Sequence, residues 1–187
     1  EFIKTKRKFL LIEKEKERCN WFEKQFKDCL VINGDATEDD VLIEAGISVA
    51  SVLVAILPMD KDNLFLTIST HHLNKDCRVV SKTLNIQNKN KLLRAGASSV
   101  VPNRYISALR IVSEVVSPNV VTFLDEMMRK GDHRIVEVPL TKTSRYCGKT
   151  IEEFKKLSSI DENIMSIKVG STFNYNPKKT DVLESGM

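Results

Sequence analysis

With 187 residues, 42% hydrophobic and 29% charged, the chain has an ordinary globular composition and a net charge of only +4. Those totals exclude a disordered chain and admit one full domain, or one domain with a small second lobe. Lys4, Lys6, Arg7 and Lys8 cluster near the start, but few aromatics lie among them. They read as a solvated helix end, and no nucleic-acid surface is expected.

Cys19, Cys29, Cys77 and Cys147 are scattered without a CxxC pair, which argues against a disulfide framework or zinc site and suits a reducing compartment. His71 and His72 fall on a helical stretch and His133 stands alone. With no second pair of ligands nearby, they read as surface or packing histidines, and no metal site is expected. No apolar run is long enough to cross a bilayer, so a soluble, cytoplasmic chain is expected.

In chain order, residues 8–13 (KFLLIE) read as a strand buried on both faces, and 14–26 as a helix carrying Cys19, Phe22 and Phe26. A short strand at 30–33 leads into GDATEDDVLIEAGI, a turn opening a helix. Residues 51–57 (SVLVAIL) form the clearest strand. A helix at 63–73, a strand at 78–81, a helix at 88–95 and a brief strand at 99–101 complete the series. Apolar strands separated by helices imply parallel pairing with helices on both faces, and the right-handed crossover rule yields a doubly wound, Rossmann-like α/β sheet.

After Pro102 the pattern changes. Residues 105–116 carry Ile106, Leu109, Ile111 and Val115 or Val116 on one side of a helix, and Ser117-Pro118-Asn119 breaks it. A second helix at 120–128 is apolar enough to need a covering partner. Residues 134–140 (RIVEVPL) read as an alternating strand, 148–154 as a helix start with Thr150 as N-cap, and 163–169 with 172–175 as a hairpin. The expected division is a Rossmann-like lobe at 1–103, crossover helices at 104–132 and a small α+β lobe at 133–187, with the break near 130–133 where Gly131 interrupts the helix.

Ligands of a doubly wound sheet bind at the carboxyl ends of its strands. Glu13 ends the first strand here, where an acid can accept bonds from ribose hydroxyls or simply be solvated. Asp35, in Gly34-Asp35-Ala36-Thr37, ends the next; Gly34 permits a tight turn, and Asp35 can meet an adenine amino group or cap the following helix. In the loop LPMDKDN at 57–63, Pro58 stops the strand, Asp60 caps the helix, and the loop offers a pocket wall. A pyrophosphate needs a glycine-rich loop at a helix N-terminus, yet the sequence contains no GxGxxG. Residues 1–4 read as the last turn of a helix, so the first strand, the glycine loop and most of the first helix are expected upstream of residue 1. Residues 181–187 likewise lead toward a strand beyond the end.

Taken together, IEKEKERC, GDATEDDVLIEAGI, AILPMDKDNLFLTISTHHLN, KLLRAGASSVVPN, and RIVEVPL with GKTIEEF and NIMSIKV resemble the RCK (or KTN) family, the TrkA-N lobe with its attached TrkA-C lobe. The resemblance implies a regulatory domain at the inner face of the cell membrane. It would dimerise through the crossover helices, assemble into rings and gate a potassium channel pore or a transporter's membrane subunit. It further implies an adenine nucleotide or NAD(H) in the cleft, with Glu13 on the ribose and Asp35, Ala36 and Thr37 bordering the adenine. The carboxylates of calcium-gated members have no counterparts at Ile56-Leu57 and Lys82-Thr83-Leu84, so that cation site is not expected. Competing readings are an NAD-dependent oxidoreductase fragment and a nucleotide-independent oligomerisation scaffold. The second lobe offers no positioned acid–base group, so an enzyme is not expected.

Overall fold

The structure, a computed structural model, describes residues 8–27, 29–128, 135–158, 164–170 and 172–186. The basic cluster at Lys4, Lys6 and Arg7, the helix turn at 1–4, the break at 130–133 with His133, and residues Arg134, Asn163, Ser171 and Met187 lie outside the described residues. The chain divides into two compact units, Glu1–Val121 and Thr122–Met187.

In the first unit, β1 (Leu10–Glu13) and β2 (Leu30–Asn33) pair in parallel around helix α1 (Lys16–Gln25), with Glu13 opposite Asn33. After α2 (Asp39–Glu44) and a 3-10 turn at Ile47–Val49 comes a second parallel sheet. Its order is β3 (Val52–Ala55), β4 (Arg78–Thr83), β5 (Ser99–Pro102), with α3 (Asp60–Leu73) and α4 (Lys89–Arg94) as the crossovers. The α/β class, the element order and the parallel pairing agree with the sequence pattern, because a parallel pair cannot be closed by a hairpin and must return through a helix.

Local differences have local causes. The sheet lies in two hydrogen-bonded parts, since the connection through α2 sets β3 against β4 rather than against β1 or β2. β1 is half-buried rather than buried on both faces. In β3–β5 the side chains alternate strictly. Ala55, Val79, Ser81, Thr83 and Val100 are buried, whereas Val52, Val54, Ile56 and Val101 lie exposed on the other face. One core nevertheless joins both sheets. Ala36, Leu42, Ile47, Ala55, Leu66 and Cys77 form it, with Ile12 of β1 and Leu53 of β3 packed against it.

Helix α3 begins at Asp60, three residues earlier than the apolar spacing suggests, because two polar side chains on its first turn anchor the strand ends. Asn63 is fully buried. Its Oδ1 accepts from the Leu57 N–H (2.8 Å), and its Nδ2 donates to the carbonyls of Leu57 (3.0 Å) and Lys82 (3.2 Å). Asp60 does not cap α3, contrary to the sequence expectation; the N-cap is Met59, without a side-chain bond. The Asp60 carboxylate instead reaches the loop after β4 and accepts from Thr83 Oγ1 (2.8 Å), Leu84 N (2.7 Å), Asn85 N (3.2 Å) and Asn88 Nδ2 (2.9 Å). Two consecutive loops at one edge of the sheet are thereby tied together.

Beyond the sheet, α5 (Asn103–Val116) and α6 (Pro118–Met128) follow with a break at Ser117. Pro118 opens α6, at the position where a missing N–H costs nothing. Tyr105, Leu109, Val112 and Val116 share one stripe of α5 and are all exposed, as are Val120, Phe123, Leu124 and Met128 on α6.

The second unit has its own core of Leu140, Ile151, Ile167 and Leu183, backed by Tyr146, Phe154 and Ile164. Helix α7 (Ile151–Ser158) starts in a capping box: Glu153 N donates to Thr150 Oγ1 (3.2 Å) and Thr150 N to Glu153 Oε2 (2.8 Å). Thr150 is thus the expected cap. β6 (Ile167–Val169) and β7 (Thr172–Asn174) form the expected antiparallel hairpin. The strand expected over 134–140 does not form in its described part. No strand pairs with 135–140; Ile135 N donates to Met127 O and Leu140 O accepts from Gly186 N, so its backbone is used in isolated contacts rather than a ladder. Val182, expected to run on toward a further strand, forms an antiparallel bridge with Thr150.

Asp60 gives the fold a testable acid dependence. Burial pushes its carboxyl pKa up, but the donors from Asn88, Leu84, Thr83 and Asn85 together outweigh that and hold it at about 2. An unfolded aspartate titrates near roughly 3.9, so the folded state binds the proton less readily. The stabilisation is present above that value and is lost as pH falls through about 2. Asp60→Asn should therefore unfold at lower denaturant than wild type at pH 7. The gap should narrow as pH falls across that window, which urea titrations at several pH values would show.

Candidate functional site

The carboxyl ends of β1 and β2 are locked side by side. Gly34 N donates to Glu13 O (3.1 Å), and Asn33 Nδ2 donates to the carbonyls of Glu13 (3.0 Å) and Lys14 (2.9 Å). This brings two of the candidate acids, Glu13 and Asp35, to one edge of the sheet. The Glu13 carboxylate accepts from the Glu15 N–H (3.0 Å) and pairs with Arg18 Nε (3.3 Å); its side chain is 16% exposed. It is an anchored acid with an open flank, not a freely solvated strand end.

Asp35 does not cap α2. The N-cap there is Glu38, without a side-chain bond. Asp35 Oδ1 instead accepts from Thr37 N (3.0 Å) and Thr37 Oγ1 (2.7 Å), closing a turn within its own loop. Its Oδ2 meets Lys14 Nζ at 2.6 Å. Lys14 foremost, and then the two Thr37 donors, hold the Asp35 carboxyl at about 2, so it is ionised throughout the physiological range.

The neighbouring candidates are placed differently. Ala36 is buried within the main core, so only its backbone faces the edge. Thr37 is half-buried, with its hydroxyl turned onto Asp35. Gly34 is required by close approach rather than by a left-handed turn. A Cβ there would lie 2.9 Å from Val41 Cγ1 of α2, and Gly34 is not among the positive-φ glycines.

Four residues of this edge make bonds that local spacing does not reveal. Lys14 looks like any solvated lysine after a strand, and its partner lies 21 residues away. Asp60 and Asn63 lie on the first turn of α3, where their polar character is legible while their bonds are not. Lys82, where a calcium-gated site would need an acid, donates its Nζ to Ile56 O (3.3 Å). Among the described residues no three His, Cys, Asp or Glu side chains converge as a metal site, and no helix is long and apolar enough to cross a membrane.

Comparison with known proteins places this geometry. Over its full length the chain is 24% identical to potassium channel protein 1 of Methanocaldococcus jannaschii, covering 56% of that protein. Over 171 residues, 88% of the chain, it is 29% identical to probable potassium channel protein 2 of the same organism, covering 50% of it. The chain thus spans about half the length of these curated relatives. Among solved structures, the GsuK RCK domain matches 99% of the chain and 38% of its own, at 26% identity and a TM-score of 0.53. The GsuK channel bound to NAD (18% identity, TM-score 0.54, 99% of this chain and 32% of that one) and GsuK bound to ADP (18%, 0.56, 86% and 46%) share the fold. The TrkA-N domain model matches residues 1–103, more than half of the chain, and with its parallel α/β sheet the chain belongs to the TrkA-N family, as a domain of the RCK/KTN type.

Proposed function

We propose that this chain is a cytoplasmic ligand-sensing module that regulates potassium transport at the inner face of the membrane, binding an adenine nucleotide or NAD(H) at the edge formed by Glu13 and Asp35. One observation carries the reading: two anchored carboxylates stand at the ends of adjacent parallel strands, where this fold class takes its ligands. Potassium channels among the relatives, and NAD and ADP in the GsuK structures, support it. Glu13 accepts from the ribose hydroxyls, Asp35 Oδ2 meets the adenine amino group, and Ala36 and Thr37 border the base with their backbone. The ligand acts by binding one arrangement of the assembly better than another, which biases the membrane subunit or pore.

The assembly is a homodimer, or a ring of dimers, through the crossover helices at 104–132. The exposed stripes of α5 and α6 are its surface. Covering Phe123, Leu124 and Met127 is worth roughly 1.5–3 kcal/mol each before ordering costs. Sedimentation at micromolar concentration should show a dimer that Phe123→Asp dissociates; a monomeric wild type would remove this surface from the account. The module turns over no substrate, its second lobe offering no acid–base constellation among the described residues. Reduced nicotinamide cofactors with a panel of carbonyl compounds should show no oxidation above background, and turnover dependent on a residue of the second lobe would make it an oxidoreductase.

The ligand site is tested directly by calorimetry on the full-length protein. Glu13→Ala removes charge-assisted bonds worth roughly 1.5–3 kcal/mol, so ADP or NAD should bind about ten- to a hundredfold more weakly, with melting measured beside affinity because Glu13 also bonds Glu15 N and Arg18. Equal affinities would place the nucleotide elsewhere.

A further inference from the structure

Lys14 occupies a position that the nucleotide reading does not use. Its side chain is 74% exposed, yet its Nζ is fixed 2.6 Å from Asp35 Oδ2. Asp35 raises the Lys14 pKa most, and Glu38 at the N-terminus of α2 and Asp62 on the first turn of α3 pull in the same direction. Among these carboxylates, it is Asp35 that touches the ammonium. Glu13, beside it, has its own cation in Arg18. A nucleotide held here by its ribose and base brings its phosphates within the range of these charges, and an edge of uncompensated carboxylates would repel them.

We propose that Lys14 is a specificity-determining residue: by neutralising Asp35 it makes the acidic edge accept a phosphorylated nucleotide, which the site then selects over a neutral nucleoside. This rests on the nucleotide reading of the same site. Lys14 need not leave when the base arrives. A carboxylate oxygen offers two lone pairs, so Asp35 Oδ2 can accept from the lysine and from an adenine amino group together. A neutral amino group is in any case a weaker partner than an ammonium and would not displace it.

The experiment compares adenosine with ADP by calorimetry on the full-length protein, for wild type, Lys14→Gln and Lys14→Arg. In Lys14→Gln, ADP should bind roughly three- to tenfold more weakly, with adenosine little changed. The ADP loss should shrink between about 0.05 M and about 0.5 M salt, as the screening length falls. Lys14→Arg should keep the wild-type ratio. Equal losses for both ligands would make Lys14 a packing residue and overturn the proposal. Tighter ADP binding would make the ion pair a latch that the ligand must break, and an unchanged ratio would leave it no role; either overturns the proposal. If wild type binds neither ligand, the nucleotide reading itself falls, and the proposal with it.

Discussion

The carboxamide of Asn63 sits where the fold is most constrained. A parallel sheet gathers the carboxyl ends of its strands on one edge, where the chain must leave each strand, turn and enter a helix. Backbone groups in those turns have lost the ladder and must find partners or remain buried unpaired, at a cost of about 1–3 kcal/mol each. Asn63 serves both backbone groups of Leu57 and the carbonyl of Lys82 from a fully buried position. Asp60, three residues earlier, ties the same helix to the loop after β4. These two side chains tie the loop after β3, the first turn of α3 and the loop after β4 together.

The opposite half of the edge follows the same logic with different groups. Asn33 bridges to the carbonyls of Glu13 and Lys14, and Thr37 closes the loop onto Asp35. Both acids at this edge are thus held in place, Glu13 by Glu15 N and Arg18 and Asp35 by Thr37 and Lys14. The close approach of Val41 to Gly34 brings α2 against the strand end and seats Ala36 in the core. Charge is balanced locally as well: Arg18 stands against Glu13 and Lys14 against Asp35.

A different constraint governs α5 and α6. Their apolar stripes are too extended to pack on the short strand β5 alone, and they remain exposed in a single chain. Exposed apolar surface on this scale is a mark of association.

Periodicity alone determined most of the fold. Apolar runs such as SVLVAIL, separated by amphipathic stretches, can only be parallel strands returned by helices, and the element order follows from that. That Glu13 and Asp35 come to the carboxyl edge of the sheet was legible for the same reason, because the strand ends follow from the topology. The C-terminal helix cap at Thr150 was legible because a capping box is a pattern within four residues. Tertiary structure decided what depends on partners distant in sequence. It sent Asp60 across to Thr83 and Asn88 instead of capping its own helix, gave Asp35 to Lys14, and left RIVEVPL, in its described part, without a strand to pair with. A hydrogen bond between residues 20 or more positions apart leaves no trace in local spacing, and β pairing needs a neighbour that no alternation within one segment can supply.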